Sequence, residues 1–166
     1  VEYGLERGTT ANSFLFAAVP LLIHPPGASF AEPFLRELAA LVPADAPLKV
    51  VVGHVNPNRV ALLRQLVARW PGSMLVCSNA GARLLEELWD QRRPAAPGEQ
   101  AREEPATPLP PIDVVKQEAC RTLADGHVLR LIPAPTPRWP SGLVALDRKS
   151  TCLNSSHRTQ SRMPSS

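Results

Sequence analysis

Residues 54–59, with the sequence HVNPNR, place one histidine, two amides and an arginine directly after an apolar run. Their spacing matches the pattern H-x-[HE]-x-D-H, in which nitrogen and carboxylate ligands from one loop converge on a pair of metal ions. Metals bind through neutral imidazole and ionised carboxylate groups. Of the four positions that the pattern uses, only His54 has such a side chain. The segment therefore has the spacing of a metal site but only one of its ligands.

The three other positions change the electrostatics of such a site. Asn56 and Asn58 put neutral amides where the pattern has acidic groups, and Arg59 puts a cation where it has a histidine. Arginine is not deprotonated in proteins. We expect these substitutions to abolish ordinary binding of two metal ions. Two roles remain for His54, either a hydrogen bond to the backbone of its own loop or a residual mononuclear metal site.

A second basic position occurs in Arg138-Trp139-Pro140. Arg138 can join Arg59 in a basic pocket that holds an anion such as chloride, sulfate or phosphate. Alternatively, the segment is a surface loop in which Trp139 packs as an anchor. The sequence leaves both interpretations open.

The other cysteines and histidines predict no catalytic residue and no cofactor-binding residue. Cys77 ends an apolar run and is expected to be a small buried side chain rather than a nucleophile. Cys120 has no base nearby in the sequence and is interpreted in the same way. His24 and His127 stand at the end and at the start of predicted strands, outside any ligand cluster, and are expected to be structural. The sequence contains no nucleophile elbow, Walker A motif or glycine-rich dinucleotide motif.

Strands and helices alternate along the sequence, which predicts an α/β layered domain. Short apolar runs predict strands, the first two as an antiparallel pair, at 13–17, 20–24, 49–53, 74–77, 112–115, 119–123, 127–134 and 143–146. Helical periodicity predicts helices at 30–42, 60–70 and 81–91, the last capped by Ser78 or Asn79. Ligand sites of such folds lie at the carboxyl ends of the strands, where residues 54–59 fall.

The first helix has two specific sequence signals. Ser29 and Glu32 form a capping-box pattern at its start. Its apolar residues recur at helical spacing, and we expect them to share one buried face: Phe30, Phe34, Leu38 and Leu41.

Residues 93–111 interrupt the alternation with six prolines and mixed charge. We interpret them as an exposed insertion or loop without a core of its own.

Residues 147–166 are polar and have no apolar periodicity, in contrast to the preceding sequence. We interpret them as a disordered, non-native tail, because DRKST-x-LNSSH and QSRMPSS resemble translated sequencing-adapter sequence. On this interpretation Cys152 and His157 carry no function, and the natural chain is truncated after about residue 146; Val1 suggests a missing start as well. The tail supplies four of the 18 basic and one of the 15 acidic residues, which leaves 14 of each.

The composition excludes several classes of protein. A chain of 166 residues that is 44% hydrophobic and 20% charged is long and apolar enough for one folded domain. No apolar run approaches the length of a membrane span, and nothing resembles a signal peptide. Three scattered cysteines make neither a disulfide framework nor a zinc cluster. The sequence has no basic stripe with interleaved aromatic residues, which nucleic-acid binding would need. The few, scattered cysteines lead us to expect a reducing, cytoplasmic location.

Five blocks in order along residues 1–146 resemble the flavodiiron protein family, in particular its photosynthetic-type members from cyanobacteria and algae: VEYGLERGTTANSFLF, IHPPGASFAEPFL, GHVNPNRVALLRQL, VCSNAGARLL and IPAPTPRWPSGL. The resemblance implies that residues 1–146 are the N-terminal, truncated portion of a metallo-β-lactamase-like domain, an α/β fold built as an αββα sandwich. The family carries a non-haem di-iron centre in this domain. A flavodoxin-like domain with FMN follows it and, in the photosynthetic type, a flavin reductase-like domain.

The resemblance also implies a function. The parent protein would be an oxidoreductase that passes electrons from NAD(P)H or reduced ferredoxin through flavin to dioxygen, giving water. FMN and NAD(P)H would bind in domains outside this chain, and the chain by itself would be inactive.

The family's H-x-E-x-D-H ligands fall on His54, Asn56, Asn58 and Arg59, and the histidine of its H-W-P motif falls on Arg138. Only His54 matches, so a di-iron centre is doubtful and no metal ligand is assigned. His24 also departs, since the family usually has aspartate there. The changes resemble those of a photosynthetic-type paralogue that acts beside a ligand-complete partner, which implies a homo- or hetero-oligomer. The alternative is a metal-free scaffold of the same fold that binds an anion or a partner protein through Arg59 and Arg138.

Overall fold

The computed structural model describes residues 11–91 and 107–147 and the backbone of residues 153–154. A 3-10 turn at Ala28–Phe30 precedes three helices: α1 (Ala31–Leu41), α2 (Pro57–Arg69) and α3 (Asn79–Trp89). The strands are β1 (Phe14–Phe16), β2 (Leu21–Ile23), β3 (Lys49–Val51), β4 (Met74–Ser78), β5 (Ile112–Val115), β6 (Ala119–Thr122), β7 (Val128–Pro133), β8 (Leu143–Asp147) and β9 (Leu153–Asn154). The predicted alternation of strands and helices is confirmed.

The strands form two sheets. The first has the order β1-β2-β3-β4-β5, with β1 antiparallel to β2 and all other neighbours parallel. The second has the order β6-β7-β8-β9 and is antiparallel throughout. Parallel neighbours need a crossover connection, and α1, α2 and α3 supply these connections. The carboxyl ends of β2, β3 and β4 therefore meet along one edge of the first sheet.

Two apolar clusters hold the layers together. One joins the helices to the first sheet and includes Trp70, which is fully buried and whose Nε1 donates to the carbonyl of Pro43 at 2.9 Å. The other lies between the sheets, with Leu21, Ile23, Val51, Val76 and Val115 facing Leu129, Leu131, Leu143 and Ala145. The described residues thus build a helix–sheet–sheet arrangement. No helix among them is both long and apolar enough to cross a membrane.

The start and the end of α1 differ from the sequence prediction. The amide of Phe30 donates to the carbonyl of Gly27, so Ser29 lies inside a 3-10 turn, and the helix begins at Ala31 with no side-chain cap. The predicted capping box is therefore wrong. Leu38 is buried and Phe34 packs against the core, but Phe30 is 38% exposed and Leu41 in the last turn is 62% exposed. The predicted buried face is therefore wrong at Phe30 and at Leu41.

The proline-rich segment is only partly an insertion. Residues 92–106 lie outside the described part of the chain, whereas residues 107–111 pack against the first sheet. The carbonyl of Thr107 accepts a hydrogen bond from Trp89 Nε1 at 2.8 Å, and Leu109 contacts the core. The carbonyl of Pro111 accepts from the amide of Leu75. The boundary predicted at residue 111 is therefore too late, and packed chain resumes by residue 107.

Arg64 caps the C-terminal end of α3. Arg64 Nε donates to the carbonyl of Trp89 at 2.7 Å, and its Nη2 donates to the carbonyls of Leu88 and Gln91 at 2.7 and 2.8 Å. The last carbonyls of a helix have no partner within the helix and carry partial negative charge, which a guanidinium satisfies.

We expect Arg64→Ala to lower the free energy of unfolding by about 1–2 kcal/mol, because three carbonyls lose a charged donor in a half-exposed place. Urea unfolding followed by circular dichroism measures this change. Arg83→Ala, which removes an exposed arginine of α3, is the matched control and should change stability by less than about 0.5 kcal/mol. Equal effects of the two substitutions would contradict a capping role of Arg64.

The predicted tail begins inside an element of structure. Asp147 is the last residue of β8, is buried, and accepts from Nδ1 of His127 at 2.8 Å. Leu153 and Asn154 pair with Leu146 and Ala145 as β9. The prediction of disorder is therefore wrong for these three residues. Residues 148–152 and 155–166, including Cys152 and His157, lie outside the described residues.

Candidate functional site

The site lies where β2 and β3 end. His24 directly follows β2, and His54 comes three residues after β3. The amide of His24 donates to the carbonyl of Val51, which fixes the two strand ends side by side. Arg59 reaches the same place from the first turn of α2. These three residues, His24, His54 and Arg59, are the Arg59 cluster.

The predicted polar loop is shorter than the sequence suggested, because α2 begins at Pro57. Asn56 is its N-cap, and Oδ1 of Asn56 accepts from the amide of Arg59 at 2.7 Å. Proline in the first turn of a helix loses no hydrogen bond, so Pro57 favours the same start. Asn58 and Arg59 are therefore helical residues.

The two asparagines have structural partners. Nδ2 of Asn56 lies 3.3 Å from Nε2 of His54, while its other side-chain atom caps the helix. Oδ1 of Asn58 accepts from the amide of Ala28 at 3.2 Å. An amide can serve as donor and acceptor at once, which a carboxylate cannot do. The side chains of Asn56 and Asn58 therefore stabilise the neighbouring backbone.

The guanidinium of Arg59 is buried and surrounded by acceptors. Its Nε donates to the carbonyl of Pro25 at 2.8 Å, its Nη1 to the carbonyl of His54 at 3.1 Å, and its Nη2 lies 3.3 Å from Nε2 of His24. Each of the three nitrogens thus has an acceptor from the protein. In the described part of the chain, Arg59 has no carboxylate partner. Burial lowers its pKa to about 10, so the side chain is still a cation at neutral pH.

Arg59 also covers His54. Its Nη1 lies 2.9 Å from Nδ1 and 2.7 Å from Nε2 of the imidazole. Because Cε1 is bonded between those two nitrogens, an atom in contact with both cannot lie in the ring plane on that side. The guanidinium nitrogen therefore lies over the face of the ring, within 2.9 Å of both ring nitrogens that could bind a metal.

His24 has an unusual backbone conformation. Its φ of +58° lies in the left-handed region, and it is the one non-glycine residue with positive φ among those described. Next to it, a Cβ on Gly53 would lie 2.4 Å from Nδ1 of His24, so glycine is required for the ring to fit. Burial, together with the charge of Arg59 and the neighbouring His54, lowers the pKa of His24 to about 3. His24 is therefore neutral and can accept a hydrogen bond from Arg59.

The sequence placed His24 at a strand end outside any ligand cluster, but it did not place it beside His54 and Arg59. Its ring centroid lies 5.3 Å from that of His54, and Nε2 atoms of both rings lie within 3.3 Å of the Arg59 guanidinium. The sequence did contain a signal, since His24 follows an apolar strand whose carboxyl end belongs to the ligand-binding edge of such folds. What the sequence did not show is that β2 and β3 are neighbours.

Arg138 does not join Arg59. It is exposed, and its Cζ lies 5.7 Å from the centroid of the Trp139 ring. Trp139 in turn packs on His54, with 4.4 Å between ring centroids. The interpretation of this segment as a surface loop anchored by Trp139 agrees with this geometry, and the predicted shared basic pocket is not formed.

The remaining candidates have structural surroundings. Cys77 is fully buried in the core, and burial raises the pKa of its thiol to about 12. Cys120 is exposed on β6, so the expectation of a buried side chain is wrong for it. His127 pairs with Asp147 and packs against Phe16, in agreement with a structural role.

We expect a thiol-alkylating reagent at pH 8 to modify Cys120 at least ~100-fold faster than Cys77 in the folded protein. Cys120 is exposed to the reagent, whereas burial shields the Cys77 thiol and raises its pKa. Peptide mapping by mass spectrometry measures both rates, and labelling in urea serves as the control in which both react. Equal native rates would show that the core around Cys77 is open.

A pair of metal ions does not fit these residues. In residues 11–91 and 107–147, no three His, Cys, Asp or Glu side chains lie close enough to hold a metal ion. The guanidinium of Arg59 contacts both imidazoles of the cluster, with Nη1 at 2.7 Å from Nε2 of His54 and Nη2 at 3.3 Å from Nε2 of His24. A fixed cation in contact with both rings opposes the binding of a metal cation.

Known proteins share the sequence and the fold of this chain. No model of a protein family matches the sequence. Over 92% of its length the chain is 38% identical to putative diflavin flavoprotein A 4 from Nostoc sp. PCC 7120, of which it spans 24%. Putative diflavin flavoprotein A 3 from Synechocystis sp. PCC 6803 is 37% identical, with the same coverage of both chains. The metal-soaked Flv1 flavodiiron core from Synechocystis superposes with a TM-score of 0.74 at 37% identity, over 90% of this chain and 34% of that one.

This chain is homologous to the metallo-β-lactamase-like domain of flavodiiron proteins. The predicted family and fold are thereby confirmed. The flavodiiron domain described here also resembles a fragment of putative diflavin flavoprotein A 5 from Nostoc, with a TM-score of 0.63 and 28% identity over 80% of this chain. The relatives are flavoproteins, and the chain spans about a quarter of their length.

Proposed function

We propose that this flavodiiron domain belongs to an oxidoreductase that passes electrons from NAD(P)H or reduced ferredoxin through flavin to dioxygen, giving water, and that its own metal position is closed by Arg59. The similarity to diflavin flavoproteins supports the oxidoreductase role, and the observation that carries the closed metal position is the buried guanidinium over His54. It occupies the segment in which the family's ligand pattern falls, so the chain keeps the fold of an oxygen-reducing domain without a set of metal ligands.

A domain of this kind depends on other parts of the protein. FMN and NAD(P)H would bind outside the chain, which spans 24% of its Nostoc relative. Oxygen would be reduced at a ligand-complete paralogue in a homo- or hetero-oligomer, and the chain by itself would be inactive. A cytoplasmic location belongs to the same proposal and agrees with the free thiols of Cys77 and Cys120.

The geometry gives little support to the alternative of an anion-binding scaffold. Such a site needs convergent donors with free N–H groups. The three nitrogens of Arg59 are directed at acceptors of the protein, and Arg138 is exposed beside Trp139. The two arginines therefore do not converge on a common ligand.

The test uses the full-length protein that contains this domain. We expect iron analysis to give far less than two irons per chain, bound flavin to be reduced by NAD(P)H, and oxygen uptake to rise when a ligand-complete paralogue is added. His54→Ala should leave the iron content unchanged. Two irons per chain that are lost in His54→Ala would overturn the closed metal position, and absent flavin reduction would overturn the oxidoreductase assignment.

A further inference from the structure

The second sheet has a side that faces away from the rest of the described structure. The opposite side of β7 and β8 contributes to the apolar cluster between the two sheets. Side chains alternate along a strand, so the intervening residues lie on the side away from that cluster, which we call the outer face. The register agrees, because Arg130 pairs with Leu146 and Ile132 pairs with Val144. The outer face of these two strands consists of Val128, Arg130, Ile132, Val144 and Leu146.

The composition of the outer face is that of a buried surface. An antiparallel sheet with one face in water alternates apolar and polar residues, whereas the outer face carries valine, isoleucine and leucine at every position except Arg130. These four apolar side chains are half-buried and belong to neither apolar cluster of the described residues. The helices α1, α2 and α3 pack on the first sheet. The described residues therefore leave an apolar sheet face open.

The remaining segments of this chain are poor in side chains that could cover the outer face. Residues 92–106 contain no large apolar residue, and residues 155–166 contain only Met163. Residues 1–10 precede β1, which belongs to the first sheet. In the 166-residue chain, the outer face is therefore available to a second molecule.

The charges beside the outer face favour a second copy of the same chain. Arg130 pairs with Glu118, and the two side chains are 43% and 47% exposed, so both remain accessible to another molecule. A surface with one cation next to one anion is complementary to itself about a twofold axis, because the cation of each copy can lie against the anion of the other. A partner surface of a single charge sign would be repelled by one of the two groups.

We propose that two copies of this chain pair through their outer faces. The pairing buries Val128, Ile132, Val144 and Leu146 between the two second sheets, which stack as in a β-sandwich. Arg130 and Glu118 of each copy lie opposite Glu118 and Arg130 of the other. None of these residues belongs to the Arg59 cluster, so the proposal is independent of the closed metal position.

The first test is sedimentation equilibrium of the 166-residue chain at micromolar concentrations. We expect a species of twice the 18.0 kDa mass of one chain. Ile132→Thr and Val144→Thr keep a β-branched residue that suits a strand but place a hydroxyl in the apolar contact. Each should raise the dissociation constant of the pair at least ~10-fold, while circular dichroism shows an unchanged fold.

The matched control is Leu41→Ala, which removes a more exposed apolar side chain from α1 and should leave the dissociation constant unchanged. A wild-type chain that stays monomeric would overturn the proposal, and so would association that continues beyond two copies. Equal weakening by Leu41→Ala would place the contact on α1 and overturn it as well.

Exchange of the two charges tests the pairing without changing the apolar residues. Arg130→Glu leaves two acidic groups beside the outer face, and Glu118→Arg leaves two basic groups. Each variant alone should be monomeric at concentrations where the wild type is paired, and an equimolar mixture should restore the doubled mass, because unlike faces then meet. Both positions are exposed, so the fold should tolerate either change. Failure of the mixture to pair, or pairing of either variant alone as tightly as the wild type, would contradict the proposed contact.

Discussion

Lowering the pH from 6.5 to 5 is expected to reduce the free energy of unfolding by about 2 kcal/mol through His24 alone. In the folded chain its pKa is about 3, against 6.5 for the ordinary group. Between these values the unfolded chain binds a proton at this residue and the folded chain does not. The contribution of His24 to the free energy of unfolding is therefore fully present above pH 6.5 and is lost progressively as the pH falls toward 3.

The size of this effect follows from the surroundings of the ring. Burial is the largest cause of the lowered pKa, followed by the charge of Arg59 and the presence of His54. Protonation would place a second cation 3.3 Å from a guanidinium that has no carboxylate partner among the described residues. The full difference between pH 6.5 and pH 3 corresponds to roughly 4 kcal/mol.

The measurement is urea unfolding at several pH values between 5 and 7, which lies above the range in which ordinary carboxylates titrate. His24→Asn is the matched control, since asparagine tolerates positive φ and does not titrate. The difference in stability between wild type and control should grow by about 2 kcal/mol over this range. Parallel pH dependences of the two proteins would show that His24 does not carry the effect.

Arg59→Ala is expected to lower the free energy of unfolding by about 3 kcal/mol. Two effects oppose each other here. Removing a buried cation relieves the desolvation that lowers its pKa to about 10. It also leaves the carbonyls of Pro25 and His54 and the Nε2 atom of His24 without their donor, and it empties a packed position that is 8% exposed. Orphaned buried acceptors and lost packing together exceed the relief.

Urea unfolding at pH 7.5 measures this loss. Arg59→Lys keeps a charge but cannot satisfy three separate acceptors with one ammonium group, so we expect an intermediate loss of about 1–2 kcal/mol. Arg36→Ala, an exposed arginine of α1, should change stability by less than about 0.5 kcal/mol. Unchanged or raised stability of Arg59→Ala would show that desolvation dominates and that the guanidinium is tolerated rather than needed.

Several features of this protein follow from the sequence by itself, because they depend on local chemistry. The periodicity of apolar residues places α2 and α3 and the buried strands β3 and β4, and Ser78 caps α3 as its type and position predict, accepting from the amide of Gly81 at 3.1 Å. Ligand chemistry alone predicts that Asn56, Asn58 and Arg59 do not replace acidic and imidazole ligands of a pair of metal ions. The order of five sequence blocks indicates the family, which homologues confirm.

Other features are decided only by tertiary structure, because they depend on which strand ends become neighbours. β2 pairs with β3, and this pairing brings His24 to Arg59 across 35 positions of sequence. The guanidinium is turned inward by the carbonyl of Pro25, and Arg138 stays at the surface because Trp139 of its own loop occupies the place beside His54. Asp147 joins β8 because hydrogen bonding to β7 continues through that residue. The sequence specifies the side chains, whereas strand pairing within the first sheet and packing between the two sheets decide which of them meet.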